Sequence, residues 1–154
     1  MPASLPVDRR SLFDLAEARG KSAGLEYAGA VTPAEAFQLV VEGAATIVDV
    51  RTRPEWEFVG RVDGAPLVEW QGYGAAVPDP AFADRLAARF RRDEPLLLLC
   101  RSGVRSHHAA TAAARAGFTR VFNILEGFEG DRDRDGRRGT LGGWRHAGLP
   151  WSQG

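Results

Sequence analysis

An open α/β fold, a parallel sheet with helices on both faces, is the architecture this sequence predicts. Three observations carry the prediction. β-rich runs at 45–50, 65–70, 95–99 and 120–125 are separated largely by helical stretches, the alternation that crossover-connected parallel strands require. Leu96-Leu97-Leu98-Leu99, bounded by Pro95, has the unbroken apolar character of a central strand buried on both faces, although so short a run does not by itself exclude a buried helical segment. The right-handed sense of parallel crossovers then places helices on both sides of the sheet. A chain of 154 residues is of single-domain size and long enough to bury a real core.

Taken in order, residues 1 to 10 are polar and proline-containing, and the very end is expected to be loose. Leu12, Phe13, Leu15 and Ala16 form a short helical stripe interrupted at Gly20 and Gly24, expected to pack on the domain surface. Thr32-Pro33-Ala34-Glu35 is a capping box with proline at the first helical position, and the helix it opens should reach about Val41 and end near Gly43. Ala45 to Val50 is a strand that ends in charge. A carboxylate at Asp49, near the end of a buried strand and facing the crevice, needs a partner to offset its desolvation. That partner is either Arg105 or the backbone of the loop after the central strand, or, more locally, Arg51 or Arg53; Arg51 itself looks toward the crevice or into solvent. Ala65 to Trp70 reads as a short strand leading into Gln71-Gly72-Tyr73-Gly74, where rings such as Trp70 could wall a small-anion pocket or simply pack. Asp79-Pro80 opens a helix with Phe82, Leu86 and Phe90 as its buried stripe.

After the central strand the chain reaches its only cysteine, Cys100, then turns through Ser102 and Gly103 into an alanine-rich helix, Arg105 to Ala116, that ends at Gly117. Unpaired N–H groups of a first helical turn point into such a loop, and the helix dipole favours an anion there. Arg101 and Arg105 add full positive charges. Together these favour the thiolate form of Cys100 and mark it as a candidate nucleophile in an anion cradle. An inert, small buried hydrophobe is the competing reading of a lone cysteine, but packing explains neither arginine nor the turn. His107 and His108, in the first helical turn, read as surface or capping residues rather than a general base. Farther on, Asp131, Asp133, Asp135 and Gly136 mimic the first half of a calcium loop, but Gly142 stands where a bidentate glutamate is needed and four arginines offset the charge; no metal is expected. This stretch reads as a charged surface loop, with Leu141, Trp144, Leu149 and Trp151 anchoring the tail.

Cys100-Arg101-Ser102-Gly103-Val104-Arg105-Ser106 closely resembles the active-site loop of rhodaneses, sulfurtransferases that carry sulfur as a cysteine persulfide. The resemblance extends to Val48-Asp49-Val50-Arg51 with Pro54-Glu55-Trp56, to Gly60-Arg61-Val62-Asp63-Gly64-Ala65, and to Gly117-Phe118 followed by Val121 to Gly127, in the family's order over roughly residues 32 to 130. It implies a rhodanese-like sheet of five strands, of which the sequence places four. On this reading residues 1–30 are an N-terminal extension and residues 31–154 the rhodanese domain, including a Gly/Arg/Asp-rich C-terminal loop and tail.

Hydrophobic residues at 44% and charged residues at 26% are ordinary for a globular chain, and zero net charge gives no general drive toward nucleic acid or anionic membrane. The start has no apolar signal-type core and no run is long enough to span a bilayer, so a cytoplasmic location is the expectation. One cysteine excludes an internal disulfide and a second thiol to resolve an oxidised Cys100. The resemblance implies transfer of sulfane sulfur from thiosulfate, or another persulfide donor, to a thiophilic acceptor such as cyanide or a thiol, with Arg101, Ser102, Gly103, Val104 and Arg105 holding the persulfide through their N–H groups and no cofactor beyond that covalent intermediate. The alternatives are a cysteine-dependent phosphatase or arsenate reductase, and a non-catalytic sulfur-binding or redox-sensing module. Loop length separates the first two: four residues lie between Cys100 and Arg105, one fewer than cysteine phosphatases use.

Overall fold

The structure is a computed structural model that describes residues 8–154; the first seven residues of the segment expected to be loose lie outside it. Four parallel strands form the sheet: β1 (Gly29–Val31), β2 (Thr46–Asp49), β3 (Leu96–Leu99) and β4 (Val121–Ile124), in the order β1-β4-β3-β2. Four α-helices accompany them, α1 (Arg9–Ala23), α2 (Pro33–Val41), α3 (Phe82–Arg89) and α4 (Val104–Arg115), with one π-helical turn at Glu55–Val59. Residues alternate sides along a strand, so Leu97 and Leu99 of β3 join Leu12, Ala36, Leu39 and Phe122 in one core layer. Leu96 and Leu98 join Phe82, Leu86, Ala110 and Ala113 in the other. All four leucines are fully buried, because α1 and α2 cover one face and α3 and α4 the other.

The strand unplaced by the sequence is β1, three residues of which two are the small Gly29 and Ala30, too short and too bland to read as a strand. The expected strand at 65–70 is instead an extended edge segment beside β2 with a single bridge at Leu67; Asp49 N donates to Pro66 O at 2.9 Å and Val68 N to Asp49 O at 2.9 Å. Pro66 has no N–H to extend that ladder, which holds the segment to the sheet edge.

The N-terminal helix differs most from expectation. It runs unbroken through Gly20 to a left-handed cap at Gly24, and Leu12 and Ala16 are 1% and 0% exposed, so α1 belongs to the core rather than to its surface. Gly20 is there for proximity: a Cβ would lie 2.6 Å from Ala28 O, and α1 could then not approach the turn leading into β1. The capping box at α2 forms as the sequence predicts, with Glu35 N donating to Thr32 Oγ1 at 3.2 Å and Thr32 N to Glu35 Oε1 at 2.9 Å. In the tail, Trp144 is buried and its Nε1 donates to Pro150 O, whereas Leu141 is 63% exposed and anchors nothing. Asp133 accepts from Asp135 N, Arg137 N and Thr140 Oγ1, so the acidic loop closes on its own donors. Among the described residues no helix is long and apolar enough to cross a membrane, and no three His, Cys, Asp or Glu side chains are grouped to hold a metal ion.

Candidate active site

β3 ends at Leu99 and delivers Cys100 to the C-terminal edge of the sheet, where it is 1% exposed. Two donors meet its sulfur: Gly103 N at 3.1 Å and the Ser106 hydroxyl at 3.2 Å. Asn123 of β4 bonds both residues that supply these donors. Its Oδ1 lies 2.5 Å from Ser106 Oγ, and its Nδ2 donates to Gly103 O at 3.1 Å. A hydroxyl has one hydrogen, so Ser106 must divide it between the amide oxygen and the sulfur. With the sulfur neutral, Asn123 is the nearer acceptor; once the sulfur is charged, it becomes the stronger one.

The turn after β4 braces the loop from behind. Phe128 N donates to Cys100 O at 2.8 Å, and Glu129 N and Gly130 N donate to Arg101 O at 2.9 and 3.1 Å. Gly127 permits this closeness: φ is +64°, and a Cβ would lie 2.5 Å from Arg101 C and 2.6 Å from Cys100 O.

The two loop arginines do different work. Arg105 is paired with Glu55, through Nη1 to Oε1 at 2.7 Å and Nη2 to Oε2 at 2.8 Å. Burial alone would raise the Glu55 carboxyl, but hydrogen bonds and charge from Arg105, with donors from Thr52, outweigh it and hold the group at about 2. The same bonds hold Arg105 above the ordinary arginine value. Arg101 is exposed, and its guanidinium makes no hydrogen bond or ion pair among the described residues.

Asp49 makes no hydrogen bond or ion pair with Arg105 or the loop, although its charge adds to the field that favours the Arg105 cation. It binds Arg51, with Nη2 to Oδ2 at 2.7 Å and Nε to Oδ1 at 3.0 Å, both side chains 0% exposed. Arg51 is correspondingly turned inward rather than into crevice or solvent, donating to Gly60 O at 2.7 Å and lying 4.5 Å over the Phe128 ring. A carboxylate buried this deeply takes the partner two residues away, which needs no second segment to find it. The pair thus supports the loop at one remove, through Phe128. Trp70 is no pocket wall either: its ring meets Phe82 edge-on at 5.2 Å in the core layer below. The cleft over the loop, about 690 Å³, is walled by Phe58 and Tyr73 and bounded by Arg101, Arg105 and Arg138. His107 bonds Tyr27 OH through Nδ1 at 2.6 Å and His108 is exposed; neither touches the sulfur.

Three site residues were not assigned from sequence. Glu55 carried a signal, since Thr52-x-x-Glu55 is itself a capping-box spacing and Thr52 Oγ1 does bond Glu55 at 3.0 Å. Asn123 carried one too, as the single polar residue within Val121 to Leu125. Ser106 carried none beyond its nearness to Cys100.

A family model described as "Rhodanese-like domain" matches residues 32–133. The crystal structure of Rv0390 from M. tuberculosis superposes with a TM-score of 0.75 at 42% identity, covering 83% of this chain and 99% of that one. The thiosulfate sulfurtransferase GlpE of Actinobacillus succinogenes is 28% identical over 120 residues, 78% of this chain and 86% of the relative. RPA3614 from Rhodopseudomonas palustris, a protein of unknown function described as a possible tyrosine phosphatase, superposes with a TM-score of 0.56 at 25% identity over 99% of each chain.

Proposed function

Because the chain belongs to the rhodanese-like domain family, we propose that it is a sulfurtransferase that receives sulfane sulfur on Cys100 and passes it to a thiophilic acceptor. The Cys100 thiolate attacks the outer sulfur of thiosulfate, the S–S electron pair leaves with sulfite, and Cys100–S–S⁻ remains. An acceptor such as cyanide then takes the outer sulfur, giving thiocyanate and restoring the thiolate. No cofactor enters either step. The observation that carries this reading is the convergence of Gly103 N and Ser106 Oγ on a sulfur with four residues between it and Arg105. A ring of that size suits one additional sulfur atom, and oriented donors stabilise its charge.

The phosphatase alternative asks more of the same loop. A tetrahedral oxyanion above the sulfur needs a wider ring and an arginine free to clamp it, whereas both Nη atoms of Arg105 are taken by Glu55. Intact-mass measurement after thiosulfate treatment tests the proposal. One sulfur atom should be gained by the wild type and none by Cys100→Ser, and thiocyanate production should vanish with it. Hydrolysis of p-nitrophenyl phosphate without sulfur uptake would sink the reading in favour of the phosphatase.

A further inference from the structure

Thiosulfate and cyanide are far smaller than the cleft lined by Arg101 and Arg105 of the Cys100 loop. Its volume of about 690 Å³ lies within the range that holds organic ligands of many atoms. Its walls are unequal. Phe58, 74% exposed, and Tyr73, 80% exposed, present rings to the opening, a large apolar area to leave in water at the mouth of a polar site. The boundary at the loop carries three arginines and two carboxylates. Arg105 is neutralised by Glu55 and Glu129 faces Arg145 at 3.8 Å, but Arg101 has no partner and Arg138 gives one nitrogen to Gly130 O at 2.7 Å with no carboxylate paired to it. The cleft thus offers flat apolar surface to one part of a ligand and two unpaired guanidinium charges to another.

We propose that the physiological acceptor, or the donor in the reverse sense, is an organic thiol with an apolar or aromatic body and an anionic group, seated between Phe58 and Tyr73 with its charge toward Arg101 and Arg138. This rests on the sulfurtransferase reading of Cys100. The thiolate R–S⁻ forms a bond to the outer sulfur of Cys100–S–S⁻ as the S–S bond to Cys100 breaks, leaving R–S–S⁻ and the free Cys100 thiolate; charge and atoms balance with no further reactant. A small thiol suits the place better than a thiol on a folded surface, since the cysteine is only 1% exposed.

Acceptor competition on thiosulfate-loaded protein tests it, with 4-mercaptophenylacetate, benzyl mercaptan, 2-mercaptoethanol, cyanide and reduced serum albumin as probes. The wild type should favour 4-mercaptophenylacetate over 2-mercaptoethanol at least tenfold in kcat/KM, after correction for each thiol's uncatalysed reactivity. Tyr73→Ala and Phe58→Ala should each lower the ratio of 4-mercaptophenylacetate to cyanide at least fivefold, and Arg101→Ala should lower its ratio to benzyl mercaptan by a similar factor. Ratios unchanged in all three variants, or a preference for the albumin thiol, would overturn the proposal. Should thiosulfate fail to load Cys100, the sulfurtransferase reading falls separately. Binding of 4-methylphenylacetate to the unloaded protein then still reads the cleft: a dissociation constant raised at least fivefold by Tyr73→Ala supports the assignment of ligand class, and equal constants refute it.

Discussion

Replacing Ser106 by alanine removes one of the two donors on the Cys100 sulfur and leaves the peptide donor, Gly103 N, in place. A hydrogen bond to a charged acceptor contributes about 1.5–3 kcal/mol. Where the thiol form predominates, Ser106→Ala should therefore cut the thiolate fraction by about ten- to 150-fold, and because a less stabilised thiolate is also more nucleophilic, with a Brønsted coefficient of about 0.4–0.5, the net slowing should be about four- to 20-fold. The same change strips Asn123 Oδ1 of its buried donor, which costs about 1–3 kcal/mol of stability and, for a domain of this size, about 2–12 °C in Tm. The two effects come apart in Asn123→Ala. That variant also breaks buried bonds, so its Tm should fall comparably, but the Ser106 hydroxyl is then free to commit its only hydrogen to the sulfur. Iodoacetamide alkylation is a clean assay because the chain has a single cysteine. Ser106→Ala should react more slowly than Asn123→Ala at equal pH, by at least fivefold, in proteins shown folded by thermal scans. If both variants lose reactivity equally, the hydroxyl acts by shaping the loop and not by donating to sulfur, and the reasoning fails.

The ion pair between Glu55 and Arg105 gives a pH signature. With Glu55 held at about 2 against an ordinary 4.5, its contribution is complete above about pH 4.5 and is lost as pH falls toward 2, so the Tm gap between wild type and Glu55→Gln should shrink from pH 5 to pH 2.5; parallel curves would contradict the assignment. Gly127→Ala should lower stability by about 2 kcal/mol or more, measured by urea unfolding, because it combines a left-handed φ with a contact on the nucleophile's own peptide. One glycine inserted after Gly103 should slow thiosulfate:cyanide turnover at least a hundredfold, about 2.7 kcal/mol, while Tm changes little, since lengthening a surface loop by one residue costs little closure entropy.

Much of this site is written locally and is therefore legible. The strand-cysteine-turn-helix succession around Cys100, the capping box at Thr32 and the buried leucine run each depend on neighbours in sequence, and each is present as expected. What the sequence conceals are choices among distant partners. Asp49 had three arginines within its expected reach, and only the folded chain shows that Arg51 takes it while Arg105 is taken by Glu55, 50 residues away. Trp70 and Tyr73 are equally plausible ring residues on one short loop, but the edge segment's register turns Trp70 inward to Phe82 and leaves Tyr73 outside. The helical stripe at Leu12 shows the opposite failure. Its glycines looked like interruptions, because a sequence does not reveal that a neighbouring backbone needs the missing side chain's space.

The three bonds from Phe128, Glu129 and Gly130 to the carbonyls of Cys100 and Arg101 fix more than position. A trans peptide is a rigid plate whose N–H and C=O point opposite ways. Fastening the carbonyl edge of the plates that follow Cys100 and Arg101 to the turn behind them therefore rotates the opposite edges, the N–H groups of Arg101 and Ser102, away from that turn. The sign of the potential over the sulfur is in this sense set from outside the loop, by the backbone of the turn after β4. Reverse either plate and the same residues, with the same cysteine and arginines, would offer oxygens where an anion must sit.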